Sequence, residues 1–60
     1  MRIWIARNLD GTLELYGEQP IRKVDCFYGT EWIGMVDDYK YPEVTWQNSP
    51  KELTVKRNRR

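Results

Sequence analysis

Apolar residues along this chain alternate with polar ones in short runs, and no stretch keeps the 3.6-residue apolar period of a helix for longer than ten residues. The runs are rich in β-branched and aromatic residues and are separated by Gly, Pro, Asn and Asp, the punctuation of strands and turns. The first run is Arg2 to Arg7 and the next is Thr12 to Tyr16, with Asn8-Leu9-Asp10-Gly11 between them. Asn is favoured at the first position of a type I turn and Gly at the fourth. A left-handed Gly11 then closes a three-residue hairpin loop with a bulge. Counting outward, Asn8 opposes Thr12, Ile5 opposes Leu15 and Trp4 opposes Tyr16, because loop length sets register. Ile3, Ile5, Leu13 and Leu15 share one face. A two-residue Asp10-Gly11 turn would put Ile5 on the face of Glu14, and is rejected for that reason.

A second hairpin is expected from Val24 to Val36, with Gly29-Thr30 as a type II′ turn. Phe27 then opposes Trp32, Cys26 opposes Ile33 and Val24 opposes Met35. Its aliphatic face carries Val24, Cys26, Ile33 and Met35, and its aromatic face Phe27 and Trp32. The link before it holds Gly17, Pro20 and Ile21, with Pro20 biasing Gln19 toward extended backbone. Residues 37–50 have no clean period. Asp37 is placed to cap one short helical turn ending before Pro42, and Asn48-Ser49-Pro50 reads as a turn. A last strand, Glu52 to Lys56, offers Leu53 and Val55 on one side. The fold expected is all-β: a small twisted antiparallel sheet or open barrel of about five strands, two hairpins plus a C-terminal strand, with an irregular or short helical segment near 37–47. Residues 1–55 form the single domain and 56–60 a basic, unstructured tail.

Sixty residues bury only roughly 60% of what the unfolded chain exposes, so the core must be efficient or gain stability from another chain. Three Trp, four Tyr and one Phe supply large areas per residue and suit either a compact core or an adhesive surface. The net charge of +1 provides no global field for nucleic acid or membrane. Its distribution is uneven: Lys56, Arg57, Arg59 and Arg60 are basic, whereas Glu31, Asp37, Asp38 and Glu43 make the middle acidic. The single Cys26 has no internal disulfide partner, which favours a reducing compartment. Met1 leads straight into a strand-like run with no signal-peptide pattern, and no apolar stretch approaches the ~20 residues that span a bilayer. A cytoplasmic location is expected.

The residues that usually carry chemistry are missing. There is no histidine, hence neither the commonest general base nor the commonest transition-metal ligand. Cys26 lies in an apolar alternating run without a base to activate it, and reads as a small buried hydrophobe. Asp37-Asp38 reads as a solvated turn, since adjacent side chains point apart. The four glycines are scattered singly, with no phosphate-cradling loop. The expectation is a non-enzyme with no cofactor and no metal.

What remains is binding. Trp4, Tyr16, Phe27 and Trp32 project from one side of the predicted β-surface, with Arg7 and Arg22 nearby, and such aromatics anchor protein–protein contacts. The competing reading is that Tyr39, Tyr41 and Trp46 cover this face to make a second small core. A second copy of the chain is a further candidate partner. Nucleic-acid or nucleotide binding, through base stacking on the same rings and phosphate contacts from Lys56, Arg57, Arg59 and Arg60, is the alternative. An exposed strand edge is a third way to pair with another chain, weakened by the lysines flanking the last strand.

Ile3-Trp4-Ile5-Ala6-Arg7, then Asp10-Gly11, Leu13, Leu15-Tyr16 and Pro20-Ile21-Arg22, resembles the opening of a family of short hypothetical proteins of gut Bacteroidales and their phages and mobile elements. Pro42-Glu43-Val44-Thr45-Trp46 followed by Asn48-Ser49-Pro50-Lys51-Glu52 resembles that family's closing segment. The likeness is poor from Lys23 to Lys40 and absent in the basic tail. The family brings no activity and no functional residues. It implies a context, a small accessory protein borne by a phage or mobile element. The function expected is therefore a non-enzymatic protein-binding module that inhibits a host defence or regulatory factor.

Overall fold

A computed structural model describes residues 2–54 of the chain. It is all-β, without a helix among the described residues. Six strands follow in order: β1 (Arg2–Arg7), β2 (Leu13–Tyr16), β3 (Ile21–Arg22), β4 (Phe27–Tyr28), β5 (Trp32–Val36) and β6 (Lys51–Thr54). Four of them form an open antiparallel sheet in the order β5-β2-β1-β6, and β3 and β4 form a two-stranded sheet of their own.

The β1–β2 hairpin has the expected register, with Trp4 opposite Tyr16 and Ile5 opposite Leu15. Its loop closes through Gly11 N–H to the Asn8 carbonyl at 3.0 Å and Asn8 N–H to the Thr12 carbonyl at 2.8 Å. Gly11 sits at φ +98°, where a side chain is rarely accommodated. The Asp10 carboxylate accepts from the Thr12 N–H and hydroxyl. These bonds, the backbone one foremost, hold its pKa below the usual carboxylate range.

The second hairpin is corrected. β4 pairs with β3, matching Ile21 to Tyr28 and Arg22 to Phe27. β5 passes over to the outer margin of β2, where Leu13 meets Val36, Glu14 meets Met35, Leu15 meets Gly34 and Tyr16 meets Trp32. A register shift lies between Leu15 and Tyr16, and Ile33 is the extra residue on β5. Such a bulge breaks the two-residue period. Trp32 and Met35, which strict alternation separates, thus come to the same side. Among described glycines only Gly11 has positive φ, so Gly29 does not make the type II′ turn. It is needed for a different reason: a Cβ there would lie 2.6 Å from the Tyr16 ring. The aliphatic set assigned to that hairpin is not core, as Val24 is 92% exposed and Ile33 and Met35 are also exposed.

Both faces of the main sheet are covered. On one, Ile5, Leu13 and Val44 are buried, with Leu15, Val36 and Leu53 packed against them. On the other, Ala6, Tyr16 and Phe27 are buried beneath Trp4 and Trp46, and the β3–β4 ribbon supplies the cover. The segment from Asp37 to Pro50 runs past the end of β1 and delivers Val44 to the first face and Trp46 to the second. It does so through turns rather than a helical turn: Lys40 N–H bonds the Asp37 carbonyl at 3.0 Å, and Val44 N–H bonds the Tyr41 carbonyl at 2.9 Å. Tyr41 itself is at φ 52°. Thr45 and Asn48 exchange backbone-to-side-chain hydrogen bonds and close the last turn before β6. β6 starts at Lys51 and brings Leu53 opposite Ile3. Val55 and the tail, with Lys56, Arg57, Arg59 and Arg60, lie outside the described residues.

Candidate functional site

The aromatic residues singled out by the sequence separate into two groups. Tyr16 is 2% and Phe27 5% exposed, so both are held inside the molecule. The Tyr16 hydroxyl donates to the Phe27 carbonyl at 3.1 Å or to Glu14 Oε1 at 2.9 Å. Burial first, and then the Glu14 carboxylate, raise its pKa well above the tyrosine norm. Phe27 meets Trp46 edge to face at 5.4 Å between ring centroids, a favoured aromatic geometry. Trp4 is half-buried against the same cluster. Trp46 thus provides the cover considered for this face, whereas Tyr39 and Tyr41 remain exposed.

Arg22 and Arg7 serve the fold. The Arg22 guanidinium lies 4.1 Å from the Trp46 ring centroid and 5.1 Å from that of Phe27, and donates to the Trp46 carbonyl at 2.7 Å. Arg7 stands on the opposite face of the sheet. Its Nε donates to the Val44 carbonyl at 2.6 Å, its Nη1 to Gly11 and Asp38, and its Nη2 to Lys40 and Tyr41. Five donors in a rigid fork thereby gather the segment that joins β5 to β6. Asn8 has a comparable role, since its Oδ1 accepts the Phe27 N–H at 2.8 Å and ties β4 to the first hairpin. Nothing in its sequence context beyond the turn preference announces this.

Trp32 stands apart. It is 55% exposed, yet it is oriented, because its indole N–H donates to Glu14 Oε1 at 3.2 Å. Ile33 at 53% and Met35 at 62% exposure accompany it on β5. β5 is the outer strand of the sheet, with no strand beside its far margin among the described residues. From Trp32 to Val36 it carries no charge, while exposed Glu31 precedes it and exposed Asp37 and Asp38 follow. Single exposed apolar residues are ordinary on a protein surface, and Leu9 and Val24 are such cases. Ile21 and Tyr28 form an exposed pair on β3 and β4, where Lys23 Nζ lies 5.8 Å from the Tyr28 ring centroid. Three large apolar side chains on one uncharged edge strand are a different matter, for this is the pattern that pairs with other chains. Sequence reasoning placed Ile33 and Met35 in the core. The signal available was the acid-bracketed, charge-free run itself.

An open depression of about 270 Å³ is lined by Asn8, Leu9, Asp10, Asp25 and Cys26. Desolvation, followed by the charge of Asp25, pushes the Cys26 thiol up, which disfavours the reactive thiolate. Among the described residues no three His, Cys, Asp or Glu side chains are grouped to hold a metal ion, and no helix is long and apolar enough to cross a membrane. Searches of protein-family models, curated proteins and solved structures return no match to this chain.

Proposed function

We propose that the chain is a non-catalytic protein-binding module whose contact surface is strand β5, with Trp32, Ile33 and Met35 as its anchors. The observation that carries this reading is the exposure of all three on an edge strand that holds no charge. Trp32 adds a large, pre-oriented ring, the kind of residue that dominates interface energies. The buried positions of Tyr16 and Phe27 direct the contact away from the covered aromatic face and toward this margin. Nucleic-acid stacking loses the same two rings, so the protein partner is the better supported choice. The likeness to short proteins of Bacteroidales phages and mobile elements supports an accessory role, with a host defence or regulatory factor as the target that the module inhibits.

The test is affinity capture from a Bacteroidales lysate with the unaltered chain and with Met35→Lys as baits. Met35 is exposed, so the substitution leaves stability within about 0.5 kcal/mol, verified by thermal melting. The reading expects a discrete set of proteins on the unaltered bait that Met35→Lys fails to retain. Equal retention by both baits, or capture by neither, refutes it.

A further inference from the structure

We infer that β5 takes its partner by strand addition, and that the partner is an extended segment with an apolar middle and a lysine or arginine at each end. This rests on the reading of β5 as the contact surface and specifies what it holds. Strand addition follows from the topology. Among the described residues no strand pairs with the outer margin of β5, and an extended segment laid along it continues the antiparallel sheet. Trp32 and Met35, brought to one side by the bulge, then flank alternate side chains of the incoming strand.

The charge of the partner follows from the ends of β5. Glu31 stands before the strand and Asp37 and Asp38 after it, all exposed. Residues 2–54 carry six Lys and Arg against nine Asp and Glu, a net charge of −3, and two of the six cations, Arg7 and Arg22, are engaged with backbone carbonyls. A basic residue at each end of the incoming strand meets these acids. A second copy of the chain does not. Two β5 strands paired antiparallel about Gly34 set Glu31 of one opposite Asp37 of the other, and like charges directly opposite are destabilising.

The experiment is an amide chemical-shift titration of the full chain with defined peptides. The probes are Lys-Val-Thr-Val-Thr-Lys, its Glu-ended counterpart, and Lys-ended forms N-methylated on one or the other alternate set of amides. With the Lys-ended peptide at about 1 mM, shifts confined to residues 31–38 are expected. The Glu-ended peptide binds at least threefold more weakly per charge reversed. N-methylation of one alternate set abolishes binding and that of the other set leaves it, because only one set faces β5. In the Asp37→Lys, Asp38→Lys chain the preference inverts. Absence of shifts at 31–38, insensitivity to both methylation patterns, or equal binding of the two charge forms overturns the inference. So does a concentration-dependent dimer in sedimentation that Met35→Lys dissociates. If lysate capture still depends on Met35 while these peptides fail, strand addition by a basic segment is wrong and the contact surface stands. If capture also loses its dependence on Met35, the surface itself is wrong.

Discussion

Strands β5 and β6 both lie at a margin of the four-stranded sheet, and they carry different residues there. β6 presents exposed Lys51 and Glu52, and Glu52 meets Arg2 of β1 at 3.2 Å. Such a pair on the surface adds little stability, but charge on an edge strand is a common way to keep other chains from pairing. β5 has no such guard between Glu31 and Asp37, and shows Trp32, Ile33 and Met35 instead. Both strands contribute one aliphatic residue to the same core cluster, Val36 from β5 and Leu53 from β6. The core therefore does not require β5 to be apolar on its remaining positions. Those positions are available for something other than folding, and that difference is the basis for assigning the contact to β5.

The comparison can be broken most severely at Arg7, which holds together the segment linking the two margins. Arg7→Met removes five hydrogen bonds to carbonyls. Three of those bonds, to Asp38, Lys40 and Tyr41, are exposed and exchange readily with water, so a loss of about 3 kcal/mol is expected. In a domain this small the corresponding fall in Tm is roughly 15 °C, readable by circular dichroism. A smaller loss, about 2 kcal/mol, is expected for Gly29→Ala, whose Cβ meets the ring of Tyr16 on β2, the strand beside β5. Gly34→Ala on β5 itself is the control, since a Cβ there has nothing within 4 Å. Urea unfolding of that variant should show a change below about 0.5 kcal/mol. The smallest effect on stability, and the sharpest on behaviour, belongs to Lys51→Val with Glu52→Val. This gives β6 the uncharged character of β5 and should create a second adhesive edge, seen as new self-association in light scattering with little shift in the unfolding midpoint.

How much of this was legible in the sequence depends on how local the deciding interaction is. The first hairpin was readable to its register because Asn8, Asp10 and Gly11 specify the loop and the loop specifies the pairing. β6 was readable from Leu53 and its turn, although the strand begins at Lys51, one residue before the expected start at Glu52. The all-β class and the open sheet followed from these. The pairing of β5 was not readable. Alternation from Val24 to Met35 is compatible with a local hairpin, and nothing within the segment reveals that β2 offers it a longer partner. The bulge at Ile33 then shifts parity, so a strict two-residue count puts Met35 on the wrong side. The proposed contact surface is hidden from the sequence by the same shift in parity. The aromatic face is legible as a unit, but Trp46 and the β3–β4 ribbon cover it through Phe27 and Arg22, which meet Trp46 from 19 and 24 positions away in the chain. Only Trp32 was named correctly as an exposed ring. Its neighbours Ile33 and Met35 were assigned to a core that the second hairpin does not have.

The most direct measurement of the central claim places a photo-crosslinking residue at position 33 on β5 and, separately, at position 52 on β6. Each chain is irradiated in the same lysate and its adducts are resolved by mass. A discrete protein adduct from position 33, absent from position 52 and lost on adding Met35→Lys, is the result predicted here. Adducts from position 52 alone, or the same adducts from both margins, would contradict it.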